Sequence, residues 1–455
     1  MAELKRVLGL WSAVAIVVGT VIGSGIFLVP RTMVQHVGSV QWVFAVWVVG
    51  GLLTLAGALT YAELAAMLPE AGGEYVYLNE AYGPVWGYLY GWTQMWVAKS
   101  GSIATLATGF FYYLANFWPG LEQVWVRVPL IGENGAPLEI RAGQFFAMVL
   151  IMGLAALNYF GVRVGGNVQV AVTIAKVALI GFVIIAGLFF APVGAIASSV
   201  IQSDAATSIT LTGFVAALVA ALWAYDGWNN VGMVASEVRE PRRNLPLALI
   251  WGTVAVIGIY ILANLAYFHV LTAAEVGVTN RVAAEMMRRI LGAGGANAVA
   301  IAAMISIFAA LNGSILTGSR VPYAMARDGL FFRSFARVHP AFHTPGVSIL
   351  GLSAWAAIVV LSGRYDQLLT FVIFASWLLY GMTTAAVFVL RRKRPDLERP
   401  YRTLGYPFVP ALFVIAALLI EVVTLMNSPR ESVLGIVLIA AGLPFYFLWK
   451  RRNSN

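Results

Sequence analysis

The chain has 455 residues, of which 60% are apolar and 11% are charged, against about 25% charged residues in an average soluble domain. So few charges cannot cover the surface of a soluble protein of this size, which excludes a disordered chain and indicates a polytopic membrane protein. Cysteine is absent, which excludes disulfides, thiolate metal sites and cysteine nucleophiles. The net charge of +9 is interpreted first as a topology signal and not as a sign of nucleic-acid binding.

Long apolar runs recur along the whole chain, and a helix needs about 20 such residues to cross a bilayer. They predict twelve spans, at 8–30, 40–62, 85–117, 142–162, 164–191, 207–225, 245–271, 296–319, 346–363, 367–390, 407–427 and 432–449. The first run is too long for the apolar core of a signal peptide and is interpreted as a retained span. We therefore expect an all-α, multi-pass protein of the cell membrane.

An even number of spans places both termini on the same side of the membrane. The loops on that side carry 19 of the 29 Lys and Arg residues, and the opposite loops carry 8. The positive-inside rule therefore predicts cytoplasmic termini. The two remaining bases, Lys99 and Lys176, lie inside predicted spans.

The machinery of several other protein classes is missing. None of the lysines follows a glycine, so the phosphate-binding GxxxxGK[ST] loop of many ATP-driven pumps is absent. No combination of nucleophile, histidine and acid indicates a membrane enzyme, and no series of polar residues indicates a channel. His339 and His343 lie on a proline-containing loop, where solvated side chains are commoner than a metal site. We predict no catalytic residues, no metal and no cofactor.

Two predicted spans are interrupted in their middle. Residues 19–25 read GTVIGSG and residues 223–230 read WAYDGWNN. Taken alone, the glycines of the first span also fit close helix packing. However, the first and sixth spans hold corresponding positions in two halves of five spans each, and paired interruptions of this kind indicate a transporter site.

A broken helix offers two kinds of binding group. Its free N–H groups lie at a positive dipole end and hold a carboxylate, and its free carbonyls hold an ammonium. A zwitterionic α-amino acid needs both. Irregular backbone at this depth is tolerated only where it lines a cavity, so we predict an amino acid site between the two interruptions.

Ionisable residues inside spans are candidates for function. Lys176 lies about ten residues from the nearest span end, and we expect its ammonium to hold the break in span one through a backbone carbonyl. Lys99 contacts the substrate side chain, a neighbouring acid or a polar cavity. Asp226 meets the substrate ammonium, a base or Lys99, and the sequence leaves these alternatives open. For Glu63, near the end of span two, we predict a structural ion pair.

Two cytoplasmic segments, 237–246 and 319–329, mix turn residues with bases. Most of this composition fits turns and attraction to lipid head groups. We expect part of it to gate the inner exit.

These motifs resemble the amino acid–polyamine–organocation superfamily, most closely its L-type amino acid transporter branch and the prokaryotic serine/threonine and alanine-serine-cysteine exchangers. The resemblance is carried by VGTVIGSGIF at 18–27, YAEL at 61–64, WAYDGWNN at 223–230, EVREPRRNLP at 237–246, LNGSILTGSR at 311–320 and RPDLERPYR at 394–402. It implies a LeuT-type fold, with a first five-helix repeat at 1–195, an inverted second repeat at 205–392, and two helices with a tail at 403–455.

The resemblance also implies roles for individual residues. The substrate carboxylate would bind Ser24, Gly25 and Ile26, and its ammonium would bind the carbonyls of Val21, Trp223, Ala224 and Asp226. Gating or coupling falls to Lys176, Trp223, Tyr225 and Asn229. Among these, Trp223 is the aromatic residue that closes over substrate, and Lys176 stands in for a sodium ion. Lys99 is not assigned by the resemblance, and its position in span three makes it a candidate for a pocket that holds the substrate side chain.

The predicted function is sodium-independent exchange of neutral L-amino acids by alternating access. Proton-coupled symport with Lys176 as the proton-bearing group is the alternative. Animal members of the branch are disulfide-linked to a heavy chain, and a chain without cysteine cannot form that link. We therefore expect no disulfide-linked heavy chain and no nucleic acid, but a monomer that works alone in the lipid bilayer.

Overall fold

A computed structural model describes residues 3–128, 137–190, 209–362 and 365–454. Most of the regular structure in these residues is helical, because a helix satisfies the polar groups of an apolar run internally where water is absent. The α-helices are α1 Leu10–Val21, α2 Gly25–Val37, α3 Val40–Met67, α4 Glu74–Tyr82, α5 Pro84–Thr93, α6 Lys99–Leu114, α7 Ala142–Tyr159, α8 Val162–Phe189, α9 Leu211–Ala224, α10 Pro241–Val270, α11 Ala273–Val278, α12 Val282–Gly318, α13 Arg320–Arg327, α14 Gly346–Val360, α15 Tyr365–Lys393, α16 Phe408–Asn427, α17 Pro429–Ala440 and α18 Gly442–Ser454.

Each of the twelve predicted apolar runs falls on one helix or on consecutive helices within the described residues. By length and hydropathy, eight helical stretches of these residues can cross a membrane, or nine when α1 and α2 count as one bent span. The apolar helix α14 is shorter than the others, and α5 joins α6 through a π-helical turn at Gln94–Ala98. The helices therefore agree with a multi-pass membrane protein, and the count of twelve spans stays a prediction.

The all-α prediction is wrong at one place, the loop between α6 and α7. This loop contains an antiparallel sheet of two strands, β1 Val124–Val128 and β2 Leu138–Arg141, in which Val126 pairs with Ile140. β-Branched side chains at alternate positions favour extended backbone. The segment is too short and too interrupted by charge to have been recognised among the apolar runs.

The bent pair α1 and α2 lies at the centre of the helix bundle. Helix α1 packs against α8, α10 and α12, and α2 packs against α9. Helix α16 lies at the periphery, where it exposes the large apolar side chains of Leu412, Ile415, Leu418 and Leu419, as expected of a lipid-facing helix. The predicted boundary between the two repeats, 195–205, lies outside the described residues.

Glu63 is fully buried near the end of α3 and forms an ion pair with Arg391 of α15. The guanidinium donates from Nε to Oε1 at 2.9 Å and from Nη2 to Oε2 at 2.7 Å. The main-chain N–H and the hydroxyl of Thr403 donate to Oε2 at 2.7 and 2.8 Å. This confirms the predicted ion pair, which ties α3 to α15 and to the segment before α16.

We expect Glu63→Gln to lower the free energy of unfolding by about 3 kcal/mol, because removing one partner of a buried pair leaves the other charge uncompensated. Glu80→Gln is the matched control, since its pair with Arg394 is exposed and is worth less than about 1 kcal/mol. Thermal unfolding in detergent measures both. Equal melting temperatures for the two variants would contradict the assignment.

Candidate functional site

The first interruption lies where the sequence predicts it. Helix α1 ends at Val21, Ile22 adopts an extended conformation with φ −73° and ψ 93°, and α2 begins at Gly25. The two helix axes are bent by 42°. The N–H groups of the first turn of α2, at Gly25 and Ile26, have no acceptor four residues earlier within the helix. They and the hydroxyl of Ser24 form a set of donors beside the break.

The second interruption follows α9, which ends at Ala224. Gly227 has φ 102°, a left-handed conformation that favours glycine. The chain then continues as a 3-10 helix at Trp228–Met233. The regular helix is therefore lost within the WAYDGWNN segment, as predicted.

The two interruptions are in direct contact. A Cβ added to Gly25 would lie 2.8 Å from the Cα of Ala224, so the backbones approach as closely as glycine allows. The hydroxyl of Thr20 donates to the carbonyl of Gly227 at 2.8 Å. Tyr260 of α10 bridges both ends, since its hydroxyl lies 3.1 Å from the carbonyl oxygen of Val21 and 2.8 Å from that of Ala224.

A cavity opens between the two interruptions. Its lining residues are Thr20, Val21, Gly23, Ser24, Gly25, Ser102, Thr105, Leu106, Trp223, Ala224, Asp226, Gly227, Asn230 and Ser314. Six of the seven residues predicted to bind substrate are among them, all except Ile26, whose predicted contact is through its main-chain N–H. The cavity thus has N–H and hydroxyl donors on one wall and main-chain carbonyls on the other, which suits a small zwitterion.

Lys176 lies behind the first break and does not line the cavity. It is fully buried, and its Nζ donates to the carbonyl oxygens of Gly19 at 2.8 Å, of Ser306 at 3.3 Å, and of Ile22. The hydroxyl of Ser306 also donates to Ile22, at 3.0 Å. The ammonium therefore occupies a cage of main-chain oxygens where α1 ends.

Lys99 and Asp226 bind neutral partners. Lys99 Nζ donates to Asn230 Oδ1 at 2.7 Å, and the hydroxyl of Tyr380 donates to Asp226 Oδ1 at 2.8 Å. Of the two ionisable residues, only Asp226 lines the cavity. Lys99 contacts the cavity-lining residue Asn230, and its place in a side-chain pocket stays a prediction.

Two residues predicted to gate the site lie away from it. Tyr225 is buried, and its hydroxyl donates to the carbonyl of Trp47 at 3.2 Å. Asn229 is also buried and donates to the carboxylate of Glu74. Both follow the end of α9 and neither lines the cavity, so their role in gating or coupling stays a prediction.

Three residues of this region were missed by the sequence reasoning. Ser306 is a polar residue inside the predicted apolar span 296–319, and this polarity could have marked it as a candidate site residue. Glu74 lies after Gly72 and Gly73, between two predicted spans, and is fully buried. Tyr260 gave no signal, because tyrosine is common in membrane helices.

The short helix α11 packs against α2. Arg31 and Gln35 of α2 both donate to the carbonyl of Gly277, at 3.4 and 2.8 Å. Nearby, a hydrogen bond from Arg289 lowers the pKa of Glu275 to about 2. The stability that this pair contributes is therefore lost progressively as the pH falls from about 4.5 to about 2, and it is fully present at neutral pH.

Comparison with known proteins agrees with this geometry. A family described as amino acid permease matches residues 8–448. The b(0,+)-type amino acid transporter 1 of Mus musculus is 34% identical, covering 100% of this chain and 91% of the relative. The serine/threonine exchanger SteT of Bacillus subtilis (strain 168) is 33% identical over 99% of this chain and 98% of the relative. The human cystine/glutamate transporter is 31% identical over 98% and 86%.

Proposed function

Because this chain belongs to the amino acid permease family, we propose that it is a sodium-independent exchanger of neutral L-amino acids. The observation that carries the proposal is the cavity between two helix breaks, with donors from α2 facing carbonyls at the ends of α1 and α9. The relatives named as an exchanger and as amino acid transporters support it. No residue of the site is assigned a catalytic role, and the protein is proposed to be a transporter and not an enzyme.

The α-carboxylate of the substrate binds the hydroxyl of Ser24 and the N–H groups of Gly25 and Ile26. These donors lie at the positive end of α2, which favours an anion. The ammonium binds carbonyls at the ends of α1 and α9, among them those of Val21 and Ala224. The hydroxyl of Tyr260 contacts both of these carbonyls and holds the two ends at a fixed separation.

The position of Lys176 supports the proposal of sodium independence. Its ammonium already contacts main-chain oxygens of Gly19, Ile22 and Ser306. A cage of carbonyl oxygens around the break is the kind of site that a hard cation would occupy. Because the lysine side chain occupies this position, no sodium ion is needed to stabilise the broken helix.

Transport proceeds by alternating access, in which the two ends of the bundle open in turn around a fixed site. The architecture proposed for this cycle has twelve spans in two inverted repeats, with cytoplasmic termini. Exchange requires that the empty carrier reorients slowly, so that a bound substrate must accompany each passage. The unit is a monomer without a disulfide-linked heavy chain.

Uptake of labelled L-serine into proteoliposomes tests exchange directly. We expect rapid uptake into vesicles loaded with L-serine, slow uptake into empty vesicles, and no effect of replacing sodium by potassium. An imposed pH gradient should change the rate little. Strong uptake into empty vesicles driven by external acid would contradict exchange and favour proton symport through Lys176.

We expect Ser24→Leu to weaken substrate binding by at least about tenfold, because the larger apolar side chain fills the carboxylate position and removes a donor. The matched control is Ser362→Leu, at a half-buried position that does not line the cavity. Thermal-shift titration with a panel of L-amino acids measures both affinity and selectivity. Wild-type affinity in Ser24→Leu would refute the assignment of the carboxylate site.

A further inference from the structure

A line of polar side chains on α8 contacts the main chain of α1 without lining the cavity. Gln169, Thr173 and Lys176 are four and three residues apart and therefore share one face of the helix. Gln169 Nε2 and Thr173 Oγ1 both donate to the carbonyl oxygen of Ala15, at 3.4 and 3.2 Å. The proposed substrate site explains the contact of Lys176 with the helix break. It does not explain the contacts of Gln169 and Thr173 with Ala15, one helical turn earlier on α1.

Gln169 is also the end of a chain of buried amides. Asn312 of α12 donates to Gln169 Oε1 at 2.8 Å, and Asn158 of α7 donates to Asn312 Oδ1 at 2.9 Å. All three side chains have no exposed surface. The amides therefore connect α7, α12 and α8 to α1 through directional hydrogen bonds within an apolar bundle.

Around Gln169 the helices are packed too closely for water to replace the amide hydrogen bonds. A Cβ added to Gly19 would collide with the side chains of Gln169 and Thr173. One added to Gly313 would lie 2.5 Å from Thr20 Cγ2 and 3.2 Å from Gln169 Nε2. The glycine at position 19 thus serves close packing, while the helix break begins after Val21.

We propose that Gln169, supported by Asn312 and Asn158, is a positioning residue that holds α1 against α8 in the empty carrier and thereby limits uncoupled transport. The proposal rests on the exchange function proposed above. Because the break separates α1 from α2, α1 moves as a unit when the cavity opens beside it. That movement must break the two bonds to Ala15, and in the empty carrier no substrate contact offsets their loss.

Side-chain hydrogen bonds in membrane proteins contribute about 0.6 to 2 kcal/mol each. Loss of the Gln169 bonds is therefore expected to speed reorientation of the empty carrier by about tenfold, and loss of the Thr173 bond by about threefold. The carboxylate and ammonium contacts of the substrate are untouched, so the KM for exchange should stay within about twofold of the wild-type value.

The test compares labelled L-serine uptake into empty and L-serine-loaded proteoliposomes for wild type, Gln169→Leu, Thr173→Val and Thr173→Ser. We expect the ratio of empty to loaded uptake to rise in the first two variants. Thr173→Ser keeps the hydroxyl and should behave as wild type, which separates the hydrogen bond from general packing. A purely structural role would lower both rates together and leave the ratio unchanged.

Unchanged ratios in Gln169→Leu and Thr173→Val, with exchange intact, would overturn the inference and leave the proposed function standing. If Gln169→Leu fails to fold, the inference is tested by the ratio of empty to loaded uptake in Thr173→Val alone. Absence of exchange by the wild-type protein would overturn the proposed function and this inference together.

Discussion

Lys176→Ala is expected to lower exchange by at least about hundredfold, whereas Lys99→Ala lowers it by less than about tenfold. Hydrogen bonds to a charged group contribute about 1.5 to 3 kcal/mol each, and Lys176 makes three such bonds to main-chain carbonyls. Lys99 makes one, to the side chain of Asn230. Removing Lys176 leaves the main-chain carbonyls at the end of α1 without the ammonium that stabilises the helix break.

The two lysine variants are matched, because both side chains are buried in the bundle. Lys176→Met adds a second comparison, since it retains the apolar stem and removes only the charge. Exchange rates in loaded vesicles, normalised to the amount of folded protein, are the measurement. Wild-type exchange in Lys176→Met would show that the stem and not the ammonium supports the break, and would contradict the account.

Arg320→Gln is expected to destabilise the fold by about 3 to 5 kcal/mol and to open the cavity to the cytoplasmic side, because it leaves a buried carboxylate unpaired. The side chains of Arg320 and Glu237 have no exposed surface. Their two hydrogen bonds measure 2.7 and 3.0 Å. The main-chain carbonyl of Glu237 also accepts from the N–H groups of Val7 and Leu8, at 2.9 and 3.0 Å.

Three separate parts of the chain therefore meet at Glu237, two through its side-chain pair with Arg320 and one through its main-chain carbonyl. The first is the segment before α1, the second follows the break after α9, and the third is α13. The two sequence segments predicted to contribute to the inner exit, 237–246 and 319–329, meet here. Breaking the pair leaves the Glu237 carboxylate buried and unpaired at this junction, which is why the expected effect is large.

Because the chain has no cysteine, a single Ser314→Cys substitution places a unique label in the cavity. Modification by an impermeant thiol reagent in inside-out vesicles should be at least about tenfold faster when Arg320→Gln is added. Arg242→Gln is the matched control, since its pair with Glu398 is exposed. Equal modification rates of Ser314→Cys alone, with Arg320→Gln and with Arg242→Gln would show that the pair of Arg320 and Glu237 does not close the inner exit.

The sequence predicted the helix breaks and the buried lysine well, because both depend on local chemistry. Glycines at 23 and 25 and the Asp-Gly pair at 226 and 227 weaken a helix locally, and a charge at position 176 is conspicuous in an apolar run. Side-chain directions after the break were not predictable. Tyr225 follows the end of α9 and Asn229 lies in the 3-10 helix after the break, so the α-helical repeat does not extend to them and only the tertiary structure determines which surface they face.

Arg320 shows a second limit. It follows an apolar run and was counted with the loop bases, yet it is completely buried against Glu237. Hydropathy separates spans from loops, but it does not reveal that two loop segments fold back into the bundle. Burial of such charges depends on a partner distant in sequence, which a single sequence does not identify.

The stoichiometry of exchange tests the central claim most directly. Proteoliposomes are loaded with L-serine that carries one label and placed in L-serine that carries another, so that entry and exit are counted in the same vesicles. The account predicts one molecule out for each molecule in, with almost no exit when external amino acid is omitted. Exit that continues at the same rate without external amino acid would contradict exchange.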